Sequence, residues 1–141
     1  MCINNVNSNP RTIQYGVLQG SILGPLLFLI FINEISKCTN QFKYILYADD
    51  STLSTSVPDD NVVDSAELIN SELECLEQWL KSNKININAD KTKFMLFSYN
   101  KNIHFPLIKI GNNTIVVASV PTFLGIHLDK RLNFKNHTAL V

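Results

Sequence analysis

Two carboxylates stand side by side at Asp49 and Asp50, directly after Tyr47 and Ala48. Adjacent carboxylates repel, and folding gains nothing from the pairing unless solvent or a cation neutralises it. A divalent ion would do so. Magnesium is hard, prefers carboxylate and phosphate oxygens, and is usually held by one or two protein carboxylates plus substrate phosphates. That is the arrangement of nucleotidyl transfer. Phe42, Tyr44, Ile45 and Leu46 lead into the pair, and a Thr-rich run over residues 51–55 leaves it. The stretch therefore reads as two short strands joined by a tight turn, with both aspartates at the tip. Taken by itself, the tetrapeptide is also ordinary turn chemistry, the commoner meaning of such a motif.

A second polar group of residues lies upstream, in Gly16-Val17-Leu18-Gln19-Gly20-Ser21, followed by Ile22-Leu23-Gly24-Pro25 and an apolar run over 26–32. Gly16 and Gly20 remove side chains where a bulky ligand needs close backbone approach, and Gln19 supplies both a donor and an acceptor. This run and the Asp-Asp hairpin together closely resemble a reverse transcriptase of the kind encoded by non-LTR (LINE-type) retrotransposons. The two motifs stand in that family's order and at a family-like separation. Two weaker signatures follow, over residues 88–97 and 123–128, so the resemblance runs from about Thr12 to about His137.

The resemblance implies an RNA-directed DNA polymerase palm. Asp49 and Asp50 would be ligands of two magnesium ions, with manganese as a substitute. Tyr47 would lie beside the primer end, although an aromatic packing role is as plausible. Gln19 and Gly20 would contact the incoming deoxynucleoside triphosphate and the RNA template. Lys91, in Asn88-Ala89-Asp90-Lys91-Thr92, would donate a proton to leaving pyrophosphate or steady its charge; the other reading is a turn lysine in solvent. Gly125, in Phe123-Leu124-Gly125-Ile126-His127-Leu128, would let backbone approach backbone where the DNA primer end is gripped. Relatives usually have proline where this chain has Leu18, which loosens the backbone and removes no reacting group. The family also uses an aspartate upstream of the Gln-Gly motif. Between Met1 and Asn33 there is no Asp or Glu. The third carboxylate, the fingers and the thumb are therefore expected on a longer parent protein, and the chain alone is expected to be inactive.

The elements that must position these residues follow from periodicity. Residues 1–10 read as an irregular lead-in and 11–15 as a short strand. A helix is predicted over 21–37, with Ser21 as a possible N-cap and Pro25 tolerated in its first turn. Its all-round hydrophobicity predicts burial on most faces. A second helix is predicted over 61–83, because Val62, Ala66, Ile69, Leu73, Leu76 and Leu80 form one apolar stripe. Asp59 and Asp60 suit its N-terminal end, and Lys81 and Lys84 its C-terminal end. Strands are predicted over 92–98, 107–110, 114–117 and 123–128, with a hairpin turn at Gly111-Asn112-Asn113 and the start of a helix near the last residues. The fold class is α+β: a small, mainly antiparallel sheet carrying the Asp-Asp hairpin, backed by two helices, then a β-rich segment. Residues 11–100 would form the palm, and 101–141 a primer-grip-like segment leading toward a thumb.

The 141 residues suffice for one domain with a core and fall short of a complete polymerase. Twelve basic side chains balance twelve acidic ones, but they are not evenly spread. Residues 51–90 hold eight acidic and two basic side chains, whereas 91–141 hold seven basic and only Asp129. A basic C-terminal third suits phosphates, and equally a solvated lysine-bearing surface. Cys2, Cys38 and Cys75 lack CxxC spacing, and His104, His127 and His137 lack metal-ligand spacing. Neither a disulfide framework nor a zinc site is indicated, and a reducing, intracellular setting is expected. The apolar run over 26–32 is too short to span a bilayer, and the polar start does not resemble a signal peptide. Besides a polymerase fragment, two readings stay open: a non-catalytic remnant that binds RNA or DNA through the basic third, and a translated relic without function.

Overall fold

The computed structural model describes residues 2–3, 6–7, 9, 12, 15–58, 61–100, 103 and 106–139. It divides into two compact units, Met1–Glu34 and Ile35–Val141.

In the first unit, β1 (Cys2–Ile3) pairs antiparallel with β2 (Val6–Asn7), so part of the expected irregular lead-in is strand. The strand predicted over 11–15 falls largely outside the described residues. A turn closes where Ser21 N–H donates to the Leu18 carbonyl at 3.1 Å, with Gln19 and Gly20 at its centre. Gly20 has φ +83°. A positive φ at the third turn position is what glycine supplies without strain. A second turn, Gly24 N–H to the Ser21 carbonyl at 3.3 Å, delays the helix, so α1 spans Gly24–Asn33 rather than starting at Ser21. Ser21 is not its cap. Leu23 holds that position with no side-chain cap bond, and Pro25 lies in the first turn, where its missing N–H costs nothing. The chain continues as a 3₁₀ turn over Glu34–Lys37.

The burial expected for α1 is not observed. Only Gly24 and Ile32 of the helix are buried, while Leu26, Leu27, Leu29 and Ile30 are between 50 and 61% exposed. A helix apolar on every side needs cover on every side, and these described residues do not provide it.

The second unit holds the longest elements. β3 (Lys43–Tyr47) and β4 (Asp50–Ser54) form an antiparallel hairpin with Tyr47 opposite Asp50. α2 covers Val62–Ser82, close to the predicted span. Its stripe is buried at Val62, Ala66, Leu73, Leu76 and Leu80, with Ile69 half-buried. Asn61 N–H donates to the Pro58 carbonyl at 3.1 Å before the helix, and Asp59 and Asp60 lie outside the described residues. At the other end, Ile85 N–H returns to the Leu80 carbonyl at 2.9 Å and Lys84 N–H to the Lys81 carbonyl at 3.1 Å. This is a Schellman cap in which Lys84, at φ 60°, takes the place usually given to glycine. Lys81 lies in the last turn and pairs with Glu77 at 2.9 Å.

The remaining strands are short: β5 (Lys93–Phe94), β6 (Lys109–Ile110), β7 (Asn113–Thr114), β8 (Val116–Val117), β9 (Thr122–Phe123) and β10 (Ile126–His127), before α3 (Lys135–Thr138). Helices with small, mainly antiparallel strand pairs are compatible with the α+β class. The described strands do not join into one sheet, however; they form five two-stranded pairs. β6 and β7 make the expected hairpin around Gly111, whose φ of +57° favours glycine and where a Cβ would push the Glu77 carboxylate aside. β8 instead pairs in parallel with β5. The strand expected over 123–128 is two strands folded back at Leu124 (φ 46°) and Gly125 (φ +83°). α2 packs on β6, and Asn70 fixes the contact: its Nδ2 donates to the Leu107 carbonyl at 2.9 Å and its Oδ1 accepts from Lys109 N–H at 2.8 Å. Ile108, Ile110 and Ile115 complete the buried apolar set with α2 and Ile35.

Candidate catalytic hairpin

The β3–β4 ladder places the acidic pair. Lys43, Ile45 and Tyr47 are exposed along β3, whereas Tyr44 and Leu46 are half-buried, the period of two that a one-sided hairpin requires. At the inner face, the Tyr44 hydroxyl shares a 3.0 Å hydrogen bond with the buried Thr39 hydroxyl. Burial pushes the Tyr44 phenol up, against the Thr39 hydrogen bond that pulls it down; Cys38 and Glu72 add to the rise. Burial likewise raises the Cys38 thiol, with Cys75 contributing. Glu72 of α2 thus acts on Tyr44, and Cys75 of the same helix on Cys38, which sets the base of the hairpin beside α2.

Ala48 and Asp49 form the two-residue turn between Tyr47 and Asp50. Ala48 has φ 51°, in the left-handed region that disfavours a residue with a Cβ. Both aspartates are exposed, and Tyr47 is 64% exposed on the same face as its partner Asp50. A positive φ is what a two-residue hairpin turn requires of a central residue, and here alanine bears it in place of glycine or asparagine.

The structure brings Asp49, Asp50 and Tyr47 together on one hairpin. Lys91 lies elsewhere, in a turn organised by Asn88, whose Oδ1 accepts from Lys91 N–H at 3.2 Å and whose carbonyl accepts from Thr92 N–H at 3.0 Å. Among the described residues, no hydrogen bond or ion pair joins Lys91 to either aspartate. Gly125 sits in the β9–β10 turn, and nothing lies within 4 Å of where its Cβ would be, so the expected close approach of another backbone is not found there. Gln19 and Gly20 belong to the first unit, both exposed, with open space around Gly20.

No group of three or more His, Cys, Asp or Glu able to hold a metal occurs among the described residues. Two adjacent exposed carboxylates nevertheless match the donor set of a magnesium site whose remaining ligands come from substrate and water.

The chain belongs to the reverse transcriptase (RNA-dependent DNA polymerase) family, whose description it matches over residues 1–128. It is 33% identical over 145 residues to a protein of Drosophila melanogaster described as a probable RNA-directed DNA polymerase from transposon BS, spanning 96% of this chain and 16% of that protein. It is 26% identical over 142 residues to the RNA-directed DNA polymerase from mobile element jockey of the same species, spanning 96% of this chain and 15% of that protein. The Pol polyprotein from the type-1 retrotransposable element R1 of Bradysia coprophila is 25% identical over 130 residues, spanning 90% of this chain and 13% of that protein. The kinship is with non-LTR retrotransposon polymerases, and the chain spans only about 15% of their length. No solved structure matches at a significant level. No described helix is long and apolar enough to cross a membrane.

Proposed function

We propose that this chain is the part of an RNA-directed DNA polymerase that carries the catalytic hairpin, acting in template-directed deoxynucleotidyl transfer. The observation that carries the reading is the exposed Asp49–Asp50 pair on a strained two-residue turn, in a chain of this family. Asp49 and Asp50 supply hard oxygen donors for divalent ions, magnesium by preference. Bound there, such ions lower the pKa of a primer hydroxyl and neutralise charge that develops on the transferred phosphoryl group.

The chain's own groups then have definite tasks. Tyr47, opposite Asp50, offers its ring to the primer end. Gln19, exposed at the crest of its turn, hydrogen-bonds the incoming nucleotide or its template partner, and Gly20 holds the backbone shape that presents it. Lys91 steadies or protonates the leaving pyrophosphate. Gly125 leaves room for the primer strand beside the β9–β10 turn. On this reading residues 11–100 act as palm and 101–141 as the primer-gripping part. The fingers, the thumb and a third carboxylate are supplied by the rest of a longer polymerase, whose surfaces cover α1.

Primer extension on an RNA template with magnesium tests the reading, with the chain joined to the flanking segments of a relative such as the jockey polymerase. Incorporation should fall by about a hundredfold or more on Asp49→Ala, and the 141-residue chain alone should incorporate nothing. Equal incorporation by the joined protein and its Asp49→Ala variant would overturn it.

A further inference from the structure

The histidines show no metal-ligand spacing along the chain, yet the fold brings two of them together. His127 lies on β10 and His137 on α3, with ring centroids 6.1 Å apart and ring planes inclined at 44°. Both residues are half-buried, and His104 lies outside the described residues.

The chain between the two rings is shaped by one side chain. Asp129 accepts from Arg131 N–H at 3.0 Å, Asn133 N–H at 3.1 Å and Phe134 N–H at 2.8 Å, which fixes the loop that leads from β10 to α3. α3 then packs on β10. On the other side, β9 sets Thr122 opposite His127, and the Thr122 hydroxyl shares a 3.1 Å hydrogen bond with Nδ1 of that ring. The bond orients the imidazole and leaves Nε2 as its nitrogen for a further partner. His137 has the complementary feature. Its Nδ1 is closed off from solvent and meets no hydrogen-bond partner among the described residues. Buried polar atoms are nearly always bonded, so such a nitrogen calls for an ion or a fixed water.

The chemistry of the pair says which. Imidazole is the commonest protein ligand of zinc, copper and nickel, and a ligating ring is usually oriented by a hydrogen bond at its other nitrogen, as His127 is by Thr122. With zinc–nitrogen bonds of about 2.0–2.1 Å, one ion reaches two ring centroids up to roughly 6.3 Å apart, and a tetrahedral angle needs roughly 5 Å. The rings therefore lie within reach and close by about 1 Å on binding. We propose that His127 and His137 together bind one divalent transition-metal ion, zinc foremost, through Nε2 of His127 and Nδ1 of His137, with water completing the shell. The ion ties α3 to the β9–β10 hairpin. The inference goes beyond the polymerase reading and does not need Asp49 and Asp50 to be catalytic, because those carboxylates suit magnesium and imidazoles do not.

The test is a zinc titration of the ¹⁵N-labelled full chain, followed through the imidazole nitrogens by NMR. A chelator of known affinity sets the free zinc, so that the cysteine thiols do not deplete it. The His127 and His137 signals should shift together along one binding curve, and magnesium should move neither. His127→Gln and His137→Gln should each weaken zinc binding at the remaining ring by more than tenfold, and Thr122→Val, which keeps both rings, by about tenfold. Zinc should also slow amide exchange at Thr138 and Ala139, whose N–H groups bond the Phe134 and Lys135 carbonyls, in the unchanged chain and in neither histidine variant. Far-UV spectra that match the unchanged chain certify each variant as folded. No shift of either signal up to about 100 μM free zinc would assign the buried nitrogen to water and overturn the proposal. One ring shifting without the other would do the same.

Discussion

Ala48 and Asp129 show two ways in which single residues set a local shape. At Ala48, φ 51° costs about 1 kcal/mol relative to a glycine in the same place. Ala48→Gly should therefore raise stability by up to about 1 kcal/mol in urea unfolding, and a decrease would mean that the turn is not strained. Asp129 works through hydrogen bonds instead. The backbone N–H of Asn133, foremost, then those of Arg131 and Phe134 with the charge of Lys135, hold its carboxyl below the ordinary value. A depressed folded-state pKa gives stability that is present above the unfolded value, near 4, and is lost as pH falls through the folded value. The protection of the Arg131, Asn133 and Phe134 amides, taken relative to their intrinsic exchange rates, should fall as the pH drops below about 4. In Asp129→Asn, which keeps one acceptor oxygen, the Phe134 amide should lose protection at neutral pH and the acid transition should vanish. None of this was legible in the sequence. Leu132 and Phe134 adopt φ 53° and 57° within that loop, yet neither residue type signals a turn. The acidic pair was legible, because two adjacent carboxylates are chemically conspicuous whatever surrounds them.

Among elements, α2 was the most readable, since apolar residues at spacings of three and four fix a helix and its buried face together. The hairpin of its partner strand β6 was legible around Gly111, but the way that strand is fastened to the helix was not. Asn70, within the predicted helix, donates to the Leu107 carbonyl and accepts from Lys109 N–H, groups that an adjoining strand would otherwise pair. On the other side of the hairpin, the Ile108 carbonyl accepts from Ile115 N–H at 2.8 Å. The same limit appears in the runs over 114–117 and 123–128, where β-favouring residues announce extended chain without choosing its partner. The energies differ in size. Asn70→Ala should cost about 1 kcal/mol, because these bonds are solvent-exposed and water replaces part of what is lost. Leu76→Ala, removing a side chain that is 4% exposed, should cost about 2–5 kcal/mol. Urea unfolding of both variants gives the order, and a larger loss for Asn70→Ala would show the clamp to matter more than the apolar stripe.

At the scale of the whole molecule, α1 is the element that its surroundings least satisfy. Surface helices of stable domains keep a polar face, yet Leu26, Leu27, Leu29 and Ile30 all stand at least half exposed on a ten-residue helix. Its hydrophobicity was plain in the sequence, and the expectation of burial was sound for a helix inside a complete core. What the sequence could not state is where the cover resides, and relatives more than six times as long leave ample chain to provide it. Apolar surface of this extent drives association in water. The chain should therefore self-associate as its concentration rises, and Leu27→Lys with Ile30→Glu should suppress that association in light scattering. Side chains already half in water contribute little to folding, so the double variant should keep its urea midpoint to within about 1 kcal/mol of stability, well short of the 2–5 kcal/mol typical of buried positions. A variant that unfolds would instead show that α1 is covered in the free chain, whereas one that folds and stays monomeric would locate the exposed surface on this helix.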